Sequence, residues 1–142
     1  MTKKVERFIL DGSVTLSWYF ADEANAYADA VAVLFPQVEV FVPALWHLEI
    51  ANALVVGERR KRGTEAQATK WLGYLASLPV VVDGETMTRA WADTLRLARA
   101  HQLTSHDAAY LELALRLGHP LATLDAPLKA ACVSVGVAVF QP

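Results

Sequence analysis

The stretch Arg7-Phe8-Ile9-Leu10-Asp11-Gly12-Ser13-Val14 decides the fold class. Phe8, Ile9 and Leu10 form a short apolar run that closes on an acid. Gly12 and Ser13 then offer a turn and a helix cap. A strand over residues 7–11, followed at once by a helix over 13–20, reads as the start of an α/β chain. The same grammar returns near the other end: Leu121-Ala122-Thr123-Leu124 closes on Asp125, and Ala126-Pro127 begins a helix.

The pattern holds between these two points. Further strands are expected at 40–42, 80–82 and 137–140. Helices are expected at 24–35, 45–62, 64–78, 85–101, 106–117 and 127–132. Thr64 and Ser105 are the expected caps of two of them, and Gly63 and Gly118 the expected stops. In the helix over 85–101, Trp91, Leu95 and Ala98 are spaced for one buried face. Strands joined by helices imply a single α/β domain over residues 1–142. Its central, mostly parallel sheet is covered by helices on both faces.

Composition narrows the function. The chain has 142 residues, 54% of them hydrophobic, enough for one sizeable core. A formal charge of −2 and a pI near 6.1 provide no global positive field, so any nucleic acid must be held by a local patch. One cysteine, Cys132, excludes an internal disulfide and a cysteine-based zinc site, and is expected simply to pack. No apolar run reaches the ~18 residues of a membrane span. The charged start Thr2-Lys3-Lys4-Val5-Glu6 is not followed by a signal-peptide core. The expectation is a cytoplasmic protein without a membrane segment.

Four acids carry the chemistry. Asp11 and Asp125 end strands; Glu49 and Asp107 lie near the starts of helices. In open α/β sheets the ligand crevice lies at the carboxyl ends of the strands. Four carboxylates meeting there repel one another, and stay ionised together only around a hard cation. That points to a Mg²⁺ or Mn²⁺ site for phosphoryl chemistry. Each acid alone also fits a simpler role. Asp11 and Asp125 suit helix caps, Glu49 and Asp107 a favourable place in the helix dipole. The joint pattern is the stronger signal, because independent caps need not fall on one edge of one sheet.

At these positions the chain resembles the PIN-domain ribonucleases, and most of all the VapC-type toxins of bacterial type II toxin–antitoxin pairs. The segments that carry the resemblance are Ile9-Leu10-Asp11-Gly12-Ser13-Val14, Pro43-Ala44-Leu45-Trp46-His47-Leu48-Glu49-Ile50-Ala51-Asn52-Ala53-Leu54, Leu103-Thr104-Ser105-His106-Asp107-Ala108-Ala109-Tyr110-Leu111 and Ala122-Thr123-Leu124-Asp125. Gly12 departs from the family, which more often has Ala, Thr or Ser there, but removes no ligand.

The resemblance implies cleavage of RNA, a homodimer, and a small antitoxin that blocks the active-site groove. It implies Asp11 and Asp107 as direct metal ligands and Asp125 as a ligand directly or through water. Glu49 would hold a metal-bound water or a second metal. Ser13, Asn52 and Thr123 could hydrogen-bond these carboxylates, although a cap or a packed polar residue is the preferred reading of Ser13 and Thr123.

Arg59, Arg60, Lys61 and Arg62 form the only dense basic run. They suit either a solvated helix end or contacts to an RNA backbone. His47 and His106 flank the acids and read as surface residues. Trp46 is the tryptophan to test for RNA contact. Three other functions compete: a PIN-type RNA-processing nuclease without an antitoxin, a phosphorylated receiver domain, and a non-catalytic α/β binding module. The receiver reading is weakened because Asp11 has no acidic neighbour and Lys129 lies on a helix. The binding module should show no response to divalent cations.

Overall fold

The computed structural model describes residues 5–142. The charged start of the chain, residues 1–4, lies outside the described residues. Four strands form one sheet in the order β3-β2-β1-β4: β1 (Glu6–Leu10), β2 (Val38–Val42), β3 (Val80–Val82) and β4 (Leu121–Ala122). Every pairing is parallel, with Phe8 opposite Val40, Val40 opposite Val80, and Ile9 opposite Leu121.

Phe8, Ile9 and Leu10 are all fully buried. Consecutive burial, without alternation, means that both faces of β1 are covered, as parallel sheets require. Parallel neighbours also need helical crossovers. These are α1 (Gly12–Ser17), a 3₁₀ turn (Ala21–Glu23), α2 (Ala26–Ala32), α3 (Trp46–Arg59), α4 (Glu65–Ala76), α5 (Thr86–Arg89), α6 (Leu95–His101), α7 (Ser105–Leu117) and α8 (Ala126–Val135).

The expected strands at 121–124 and 137–140 are both shorter than the apolar runs suggest. Sheet pairing of β4 stops at Ala122, and the amides of Leu124 and Asp125 turn to side chains. Leu124 N–H donates to Ser13 Oγ at 3.0 Å and Asp125 N–H to Thr123 Oγ1 at 3.1 Å. The last strand reduces to one parallel bridge, Leu121 to Val139, flanked by two backbone hydrogen bonds.

The helix ends differ in three places: Asp11, not Ser13, is the backbone N-cap of α1, α3 ends at Arg59 ahead of Gly63, and the cap of α7 shifts by one residue. Thr64 caps α4 in a full capping box with Gln67. Thr104, not Ser105, caps α7: its hydroxyl accepts from Asp107 N–H at 3.1 Å, and Ser105 is already helical.

The expected continuous helix over 85–101 is broken. A π-helical turn spans Ala90–Thr94, with a kink at Ala92 (φ −112°, ψ −106°). The extra residue per turn shifts the register. Thr86, Thr94 and Ala98 face inward, and Trp91 is 93% exposed. The predicted inward face of Trp91 is therefore wrong, because a fixed 3.6-residue period does not cross a π turn.

Candidate active site

The cleft lies where β1 and β4 end. Asp11 is the backbone N-cap of α1, yet its side chain makes no cap hydrogen bond. Its Oδ2 instead accepts from Ser13 Oγ at 2.7 Å and from Thr123 Oγ1 at 2.6 Å. The same hydroxyls accept the Leu124 and Asp125 amides. Each hydroxyl thus passes a backbone N–H on to the buried carboxylate, and together they lock the β4–α8 turn onto Asp11. Ser13 and Thr123, for which caps or packing were preferred, are ligands of the carboxylate. Asn52 lines the cleft and makes no hydrogen bond to any of the four acids.

Glu49 stands in the first turn of α3, where an acid is favoured by the dipole. The fixing contact is tertiary: Tyr110 Oη donates to Glu49 Oε1 at 2.6 Å. Tyr110 comes from α7, one turn beyond Asp107, and is fully buried. Sequence reasoning missed it, since a tyrosine in an apolar helix gives no local sign of its partner. The cap reading does hold for Asp125, whose Oδ2 accepts from Leu128 N–H at 2.9 Å.

Asp11, Glu49, Asp107 and Asp125 line one cleft of about 470 Å³, together with His106 and apolar residues such as Leu45 and Leu48. Among the described residues no Lys or Arg lines it. The four acids share this space without forming a closed shell. Among the described residues, no three His, Cys, Asp or Glu side chains stand close enough together to hold a metal ion as they are. Asp125 is drawn to its own helix and Glu49 to Tyr110. Closing a shell would need carboxylates to rotate inward.

Burial pushes the Asp11 carboxyl up from its ordinary value. The Ser13 and Thr123 hydroxyls oppose this, and the charges of Asp107 and Asp125 add to it. Glu49 is raised too, by burial first and then by Asp11 and Asp107, against the Tyr110 hydrogen bond and His106. Asp107 is raised by burial and then by Asp125. Desolvation, more than repulsion between the acids, is thus the larger cause. A carboxylate-oxygen donor set that, among the described residues, no Lys or Arg neutralises has the chemistry that Mg²⁺ and Mn²⁺ select.

Two other expectations change. Trp46 is 3% exposed and its indole N–H donates to Thr15 Oγ1 at 3.2 Å, so it fastens α3 to α1 and is not open to RNA. Arg62 is held by Asp22 and Glu23, at 2.9 and 2.6 Å, and lies over the Phe20 ring. Arg59, Arg60 and Lys61 are exposed. Cys132 is buried, as expected.

The molecule is thus an α/β protein with a parallel sheet and an acidic cleft at its carboxyl edge, the edge where open α/β sheets place their crevice. The PIN domain family matches this chain over residues 8–133, and the chain belongs to that family. Ribonuclease VapC3 of Pyrobaculum aerophilum is 27% identical over 122 residues, spanning 86% of this chain and 92% of that protein. The crystal structure of PAE2754 from Pyrobaculum aerophilum aligns with a TM-score of 0.63 and 28% identity, covering 89% of this chain and 79% of that one. The resemblance to VapC-type ribonucleases thus extends over most of the chain. No helix among the described residues is long and apolar enough to cross a membrane.

Proposed function

We propose that this protein is a Mg²⁺- or Mn²⁺-dependent endoribonuclease acting as the toxin of a toxin–antitoxin pair. The observation that carries the reading is the convergence of Asp11, Glu49, Asp107 and Asp125 on one cleft that, among the described residues, no Lys or Arg lines. Membership of the PIN family and the likeness to Ribonuclease VapC3 support it.

Asp11, Asp107 and Asp125 would hold the cation, with Glu49 holding water beside it. When bound, the cation supplies a lowered pKa for water and charge neutralisation at the phosphate. The protein's own part is orientation. Ser13 and Thr123 fix Asp11 by two charge-assisted hydrogen bonds. Asp107 is carried at the start of α7, whose N-terminus Thr104 caps. Leu45 and Leu48 give the cleft an apolar wall against which a base can lie. Arg59, Arg60 and Lys61 are the cations on offer for an RNA backbone. The toxin reading further proposes a cytoplasmic homodimer and a small antitoxin that covers the cleft.

The test is cleavage of defined RNAs by purified protein with Mg²⁺, with Mn²⁺ and with chelator, followed by sequencing of the cut ends. Cation-dependent cleavage that disappears in Asp107→Asn is expected. Full cleavage by Asp107→Asn, in a preparation shown free of contaminating ribonuclease, overturns the mechanism. Co-expression with a small protein encoded immediately upstream should give a complex of reduced activity; undiminished activity in that complex overturns the toxin role.

A further inference from the structure

We infer that Tyr110 is the positioning residue of Glu49, holding one carboxylate oxygen so that the other is presented to the cleft. The inference rests on the metal-dependent reading above.

The phenol reaches across from α7 to α3 and donates to Glu49 Oε1 at 2.6 Å. That length is typical of a donor on an ionised acceptor. This is the phenol's one hydrogen bond as donor among the described residues. Glu49 Oε2 accepts none from them. Tyr110 itself has no freedom, because it is fully buried and its ring is enclosed by the core. Its oxygen also lies beside the Asp11 turn: a Cβ on Gly12 would sit 3.7 Å from it. One rigid side chain therefore touches the segments that carry Asp11 and Glu49, and shares a helix face with Asp107 three residues before it.

Glu49 needs such a brace. It is half-buried in the cleft lining, next in sequence to Leu48, which is 74% exposed. A glutamate left free samples many rotamers, and fixing them at the moment of ligand binding costs conformational entropy. A partner already fixed by burial meets that cost during folding instead. A tyrosine that merely satisfies its own buried hydroxyl would need any acceptor; here the acceptor is one of the four acids of the cleft.

The experiment is a double-mutant cycle with Tyr110→Phe, Glu49→Gln and the pair. Mn²⁺ affinity is read by calorimetry, with the melting temperature of metal-free protein and RNA cleavage alongside. Tyr110→Phe should weaken Mn²⁺ binding about ten-fold, the scale of losing an outer hydrogen bond to a ligand. It should add no further loss in the Glu49→Gln background. An equal loss in both backgrounds, or unchanged Mn²⁺ affinity and cleavage in Tyr110→Phe, overturns the role of Tyr110. Should Tyr110→Phe fail to fold, Glu49→Asp withdraws the carboxylate from the phenol by one methylene. It should show the same ten-fold loss, and undiminished affinity overturns the inference. Wild-type protein that binds no Mn²⁺ overturns the metal reading itself, and this inference with it. Wild-type protein that binds Mn²⁺ no better than Tyr110→Phe overturns the inference alone.

Discussion

Thr123 donates its hydroxyl hydrogen to Asp11 Oδ2 at 2.6 Å, joining residues 112 positions apart in sequence. The Thr123 Oγ1 oxygen in turn accepts the Asp125 amide at 3.1 Å. One hydroxyl therefore ties two of the four acids into a single unit. Thr123→Val keeps the shape of the side chain and removes both hydrogen bonds. It leaves the Asp125 amide without an acceptor and Asp11 with Ser13 alone. The expected loss is about 1–3 kcal/mol of stability, read by chemical denaturation, together with reduced RNA cleavage.

Asp11→Asn separates charge from shape. Asn still offers an oxygen to Ser13 and Thr123 but carries no charge into a site that is 5% exposed. Metal-free Asp11→Asn should be at least as stable as the original protein at neutral pH. Mg²⁺ or Mn²⁺ should raise the melting temperature of the original protein and barely move the variant, since a ligand stabilises only the state that binds it. If Asp11 served only the fold, the cation would move neither protein.

The raised carboxyls of Asp11, Glu49 and Asp107 set a pH dependence. An acid whose folded pKa exceeds its unfolded value contributes stability below the unfolded value. That stability is lost as pH rises through the folded value. Metal-free protein should therefore lose stability from about pH 4 upward because of these groups. Asp83 works in the opposite sense. Burial opposes its ionisation, but hydrogen bonds from Arg116 and Thr86 outweigh this and hold it below its ordinary value. Its contribution is present at neutral pH and lost in acid. Comparing Asp11→Asn with the original protein isolates the first effect. The advantage of the variant should grow between pH 4 and pH 8, and a constant difference would refute the assignment.

Arg116 fastens the end of edge strand β3 to α7. It contacts Asp83 at 2.7 and 3.0 Å and Glu112 at 2.8 Å, and both acids are nearly buried. Arg116→Met would leave the nearly buried Asp83 carboxylate without its cation and Glu112 with Arg89 alone, at 4.0 Å. Breaking such a pair by removing one partner costs about 3 kcal/mol or more. A clear drop in the urea midpoint is expected, with Mn²⁺ binding retained because Arg116 does not line the acidic cleft.

Gly57 tests packing against propensity. Alanine gains about 1 kcal/mol over glycine in a helix. A Cβ at Gly57 would fall 2.8 Å from the Phe20 ring, which is buried and covered by Arg62. Overpacking of that kind costs about 1–3 kcal/mol. Gly57→Ala should therefore be destabilising on balance. A rise in melting temperature would mean that the Phe20 ring can move aside.

The sequence by itself determined the α/β class, the buried character of β1, and the order of the four acids. These are written in short local patterns: an apolar run without alternation, an acid at its end, a cap residue before a helix. Hydrophobic burial and capping act within a few residues, so such patterns can be read without the fold. Only the tertiary structure decided what those acids touch. Asp11 and Asp125 look alike in sequence, yet one takes hydroxyls from distant residues and the other caps its own helix. Tyr110 finds Glu49, Trp46 finds Thr15 and Arg62 finds Asp22 and Glu23 across tens of residues, and no local signature records such partners. Trp91 turned outward because one π turn altered the helical period. Its exposure depends on how the kinked segment packs against α7, a property of the assembled chain and not of the residues around position 91.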